Sequence, residues 1–363
     1  MNKSYLWAFD DKHGWNYTTY FSFFNDFYRD DEKMKYVEIS FITILCVVSV
    51  ILNSSLTGFI LCSRELRTRQ HMFIVSVLCS SMFLLPFAMA IGITRLSPLG
   101  WMFGNFFCKS TMYAFLTTAF IKIWLMSVIS MDRYLQVVHL QHRHLGRRMS
   151  IALTIAAWTL PMITLACMVY PNTVSVQSTM PDNTTVTICS AIFRYHDTIP
   201  YAVVYFLSVF VLEYVIPASL MIMFYTKVMQ KIKLSAQALL RHNKAPNKSS
   251  KTDEAVKNNA KERRATLILI IILLLFLLMW TPLFGLLAML SLDQRLETYY
   301  LSSRFIIGGL CSLLANTIIE PILFALTTGQ VRQKLLALCQ TRQPFQRVSI
   351  APMVLCVTEY TTA

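Results

Sequence analysis

Seven stretches of this chain run for twenty residues or more with almost no charge, at 37–62, 72–96, 106–139, 150–170, 199–229, 265–290 and 300–326. A bilayer core of ~30 Å is crossed by about 20 apolar residues in a helix. No water is available there, so each stretch must satisfy its backbone internally, as a helix. Composition agrees: 55% of the 363 residues are apolar and 14% charged, with a mean hydropathy of +0.50. A soluble chain is nearer a quarter charged. The predicted fold class is therefore an all-α membrane protein, a seven-transmembrane helix bundle. The runs from 72, 106 and 199 exceed the span, so they tilt or project beyond it.

The net charge of +14 could suggest nucleic acid, but its distribution does not. Loops after the odd-numbered runs and the C-terminal tail carry 22 basic and six acidic residues. The opposite side carries ten and eleven; Lys122, Glu213 and Glu320 lie within the runs. The positive-inside rule then puts the N-terminus outside and the C-terminus in the cytoplasm of a multi-pass plasma-membrane protein, with lipids as partners and no nucleic acid. No apolar segment falls in the first ~30 residues, so the first run is the expected insertion signal. Asn2, Asn16 and Asn183 match the glycan acceptor pattern on predicted outside surfaces. Of nine cysteines, Cys46, Cys62, Cys79, Cys167 and Cys311 read as packing residues. Cys108 and Cys189 are the two near the predicted outer face and can pair in the oxidising compartment there.

Ordered motifs carry a resemblance. Asp132-Arg133-Tyr134 ends the third run, 25 residues after Cys108, or ~37 Å of helix. Trp101-Met102-Phe103-Gly104 precedes that cysteine. Trp158 lies in the fourth run, Pro217 and Tyr225 in the fifth. The sixth holds Phe276-Leu277-Leu278-Met279-Trp280-Thr281-Pro282, and the seventh Glu320-Pro321-Ile322-Leu323-Phe324. From the first run to Cys339 the chain resembles the rhodopsin-like G-protein-coupled receptors. Met279 stands where Cys is usual, and Glu320 and Phe324 replace the Asn and Tyr of the seventh-helix motif.

The resemblance implies a division into an extracellular tail (1–36), the bundle (37–328), a short amphipathic cytoplasmic helix (329–340) and a cytoplasmic tail (341–363). It also implies a function without catalysis or cofactor: binding an extracellular ligand and activating a heterotrimeric G protein, with arrestin a further partner. Arg133, costly if unpaired at the boundary, is held by Asp132 and locked by Glu262, 20 residues before Pro282. Pro282 kinks its helix, and Phe276 and Trp280 form a switch at the pocket floor. Phe115 occupies the place of the amine receptors' carboxylate, and Leu314 that of the visual pigments' lysine. Neither an amine nor retinal is expected.

Two features point to a peptide ligand. Residues 173–176 and 185–188 read as two strands around a turn, like the outer-loop hairpin of peptide receptors. The stretch around Glu213 resembles the fifth helix of neuropeptide receptors, with Glu213 a candidate contact for a basic side chain. A lipid or small-molecule receptor, and a constitutively active or non-signalling seven-helix protein, remain alternatives. Without an internal repeat or paired broken helices, a transporter is disfavoured.

Three positions depart from the family together. Ser81 replaces the second-helix Asp, Lys122 the third-helix Ser, and Glu320 the seventh-helix Asn, around a cavity that binds sodium in many relatives. Lys122 and Glu320 are expected to pair, with Asn53, Ser81, Asn316 and Thr317 supplying hydrogen bonds; separate neutralisation is the alternative. Cys339, ending an apolar face, is an expected palmitoylation site.

Overall fold

The computed structural model describes residues 32–94, 96–97, 100–138, 146–179, 185–191, 201–243, 260, 263–264, 266–267, 270–281, 303–327 and 330–334. Helices α1 (Glu32–Cys62), α2 (Arg69–Thr94), α3 (Gly104–Val138) and α4 (Arg147–Asn172) come first, with a 3-10 turn at Arg64–Leu66. Next are strands β1 (Thr173–Thr179) and β2 (Thr185–Ala191). Helix α5 comprises Tyr201–Phe210, a π turn over Val211–Val215, and Ile216–Asn243. The sixth helix, α6, is described over Ile270–Thr281, and α7 is Ser303–Thr327. Residues 330–334 form a further helical turn.

Among the described residues six helices are long and apolar enough to cross a membrane, and Ile270–Thr281 is a shorter apolar helix. The chain is thus an all-α, multi-pass membrane-spanning bundle. Its surface shows why it needs a bilayer. On α1, Ile42, Cys46, Ser49, Asn53, Leu56 and Ile60 recur every three or four residues and are buried. Phe41, Ile44, Val47 and Ile51, on the other face, are each more than half exposed. Such a stripe would be a liability in water and suits lipid.

Helix α3 is central: 83% of its apolar span is buried, against 22% for α4. The helices outrun the apolar stretches where polar residues extend them; α1 begins at Glu32, before its first apolar run at 37.

The strands pair antiparallel, with Ser175 opposite Cys189 and Thr179 opposite Thr185. Each is seven residues, longer than the four legible from the Thr/Val alternation. The ladder supplies the reason: once in register, Gln177, Ser178, Ser190 and Ala191 gain backbone partners whatever their propensity.

Candidate functional site

The inner site gathers side chains from three helices. Lys122 of α3 and Glu320 of α7 are 0% and 1% exposed, and Lys122 Nζ lies 2.9 Å from Glu320 Oε2. Ser81 Oγ of α2 donates to the same oxygen at 3.0 Å, and Asn316 Nδ2 donates to Oε1 at 2.9 Å. Both carboxylate oxygens are thus engaged, as a buried charge requires. Asn53 and Thr317 make a separate junction of α1 with α7. Asn53 Nδ2 donates to the Thr317 carbonyl at 2.9 Å and to Ser49 Oγ at 3.1 Å. Ser49 Oγ and Thr317 Oγ1 are 2.7 Å apart. Sequence reasoning missed Ser49, although its place one turn before Asn53 on the buried face was a usable signal.

An added sodium ion does not fit this arrangement. The ammonium already stands against Glu320, and a metal cation bound there would face it at close range without a second carboxylate.

Nearer the Cys108 end lies an aromatic floor. The Trp280 ring is 5.6 Å from Phe276 and 6.4 Å from Phe115, centroid to centroid. All three are buried, as are Phe324 and Pro321 of α7. Glu213 does not join them, which corrects its expected place in the pocket. It is 0% exposed and its carboxylate accepts from Trp124 Nε1 at 2.8 Å and from Thr164 Oγ1 at 2.5 Å. Trp124 is nine residues beyond Phe115, two and a half turns along α3 and on its opposite face. The π turn, invisible in the sequence pattern, sets that rotation.

At the other end of α3, Asp132 Oδ2 accepts from Gln136 Nε2 at 2.6 Å, and Gln70 Nε2 of α2 donates to Gln136 Oε1. Neither glutamine was singled out from sequence, because a polar residue at a helix foot reads as solvated. Tyr134 packs on Phe224, centroids 5.3 Å apart, with Lys227 Nζ 5.6 Å from its ring centroid. Arg133 is half-buried and Tyr225 buried. Lys334 Nζ is 2.8 Å from Glu65 Oε2. Its hydrogen bond, then its charge, hold the Glu65 carboxyl below the usual carboxylate range. Glu65 is exposed, so the bridge fixes a position and contributes little stability.

Cys108 and Cys189 form a disulfide, tying β2 to the first turns of α3. The Trp101 backbone N–H donates to the Thr187 carbonyl at 2.7 Å, and its indole N–H to the Gly104 carbonyl at 2.8 Å. Gly100 and Gly104 turn the backbone here at φ +77° and +76°, a region open to glycine.

Residues 52–324 match the family described as 7 transmembrane receptor (rhodopsin family). The chain belongs to that family. It is therefore a receptor and not an enzyme. The substance-P receptor of Canis lupus familiaris is 24% identical over 292 residues, 80% of this receptor and 67% of that one. The human substance-P receptor is 25% identical over 175 residues, 48% of this chain and 42% of its own length. Neuropeptide Y receptor type 2 of Gallus gallus is 24% identical over 206 residues, 54% and 52% of the two chains. The crystal structure of squid rhodopsin superposes with a TM-score of 0.69 at 18% identity, covering 87% of this receptor and 89% of that chain. It shares the fold. Glu262, Pro282, Cys339, Asn2, Asn16 and Asn183 lie outside the described residues.

Proposed function

We propose that this receptor binds an extracellular peptide above the Phe115–Trp280 floor and activates a heterotrimeric G protein at its Arg133 end. The observation that carries the reading is the similarity, over 80% of the chain, to a receptor whose name specifies a peptide. The β1–β2 hairpin supports it: tied to α3 by the Cys108–Cys189 disulfide, it offers strand edges at the end where a peptide would arrive. The excess of basic residues in the loops on the Arg133 side supports a cytoplasmic place for that end. There an outward swing of α6 would open a groove beside Arg133 for a partner helix.

A peptide and metabolite library applied to cells expressing the receptor, read by G-protein dissociation, tests this. Peptides are expected to evoke the response. A response to lipids alone would favour the second reading, a lipid receptor, for which the wholly aromatic floor of Phe115, Phe276 and Trp280 speaks.

Two further outcomes are expected in such cells. Glu262→Ala should raise basal G-protein activity by releasing Arg133; unchanged basal signalling at matched surface expression would dismiss that lock. Replacing sodium by a bulky organic cation at constant ionic strength should leave basal activity unchanged, because Lys122 supplies the positive charge beside Glu320. A sodium effect abolished by Glu320→Gln would mean that a cation site survives there.

A further inference from the structure

Glu213 is a buried carboxylate whose described partners are uncharged, and such a group is costly unless it is well hydrogen-bonded. Its place in the chain is unusual as well. It sits within the π turn Val211–Val215, where the Ile216 N–H reaches back to the Val211 carbonyl. Pro217 follows at once and has no N–H to give. A π turn takes in one more residue than an α turn. The segment before it is therefore rotated by about 100° from where an unbroken helix would set it.

We propose that Glu213 is a positioning residue: its two oxygens, held by Trp124 of α3 and Thr164 of α4, fix this turn and so set which face of Tyr201–Phe210 looks into the bundle. The donor geometry supports a pin and not incidental packing. The Thr164 hydroxyl also lies 3.0 Å from the Leu160 carbonyl and 3.2 Å from that of Pro161. It has a single proton to donate. The Glu213 oxygen is the nearest acceptor, at 2.5 Å. The indole N–H of Trp124 can donate only once, and it donates to Glu213. One residue of α5 is thus held from two helices at the point where its register shifts. The inference goes beyond the proposed function and holds whatever the ligand is.

Val204 and Leu207, 49% and 50% exposed, face outward on the rotated segment. Cysteines placed there singly should react slowly with a water-soluble thiol reagent in the otherwise unaltered receptor. Peptide mapping would tell them from native cysteines. In a Glu213→Leu background the segment loses its pin, and at least one of the two should react severalfold faster at matched surface expression. Glu213→Gln keeps an acceptor for Trp124 and should preserve the slow pattern. A purely space-filling role for Glu213 would leave accessibility the same in the Leu background, and that result overturns the proposal. Should Glu213→Leu fail to reach the surface, Trp124→Phe in purified receptor decides. Leaving one oxygen of this buried side chain without its partner should speed amide exchange across 211–216 by roughly 10- to 100-fold. Exchange no faster than in the unaltered receptor would equally overturn the pin.

Discussion

Lys122→Ala alone, or Glu320→Ala alone, should leave little folded receptor at the cell surface. Each single change strands a charge at a position that is 0% or 1% exposed. Breaking one side of such a pair costs about 3–5 kcal/mol, against a total stability of about 5–15 kcal/mol for a folded domain. Lys122→Met combined with Glu320→Gln should recover expression. Both charges vanish together, and the Gln carbonyl can still accept from Ser81 or Asn316, which now donate to the carboxylate. The double mutant is therefore expected to be much less damaged than the two single losses added together. Surface labelling of the four receptors would measure this. Two single mutants that express normally, or a double mutant as poor as their sum, would mean that the pair holds nothing together.

Cys108→Ala and Cys189→Ala should each reduce surface receptor strongly, and the double mutant should be no worse than either. The bond closes a loop across 81 residues of sequence, so its loss frees a long segment in the unfolded chain. The chain-entropy account gives roughly 4–5 kcal/mol for loops of this length. The local cost adds to that. The Trp101 N–H to Thr187 bond and the Gly100–Thr187 bridge depend on β2 staying against the first outer turn. Thermal unfolding of detergent-purified receptor with and without reductant would read the effect. A melting point that reductant leaves unchanged would show that the hairpin is held by its hydrogen bonds alone.

The helices were legible because hydrocarbon leaves a long apolar run no other fold. Lys122 and Glu320 stood out for the same reason in reverse: a charge within such a run demands a partner, and the chain offers few. Ser49 and Gln136 drew no notice, since serine and glutamine are tolerated almost anywhere and only neighbours in space give them work. Glu213 shows where reading along a helix fails. Along a regular helix its face would follow from its distance to Pro217, but a single extra residue in the π turn changes the direction of everything before it. Nothing in the hydropathy of Val211–Val215 distinguishes a hydrogen bond five residues back from one four residues back. The longer strands are a related case, because Gln177 and Ser178 owe their extended state to the partner strand and not to their own preference.

In the proposed function a ligand at the hairpin end acts on a G protein at the Arg133 end, and one measurement addresses both. Purified receptor in nanodiscs would be combined with a panel of heterotrimeric G proteins, and nucleotide exchange followed with and without the active peptide fraction. The same would be done for Arg133→Ala at equal receptor and equal peptide binding. Peptide should accelerate exchange on at least one G protein through the unaltered receptor, and Arg133→Ala should abolish the acceleration while still binding peptide. Peptide binding without exchange on any G protein, or acceleration that survives the loss of Arg133, would contradict the account.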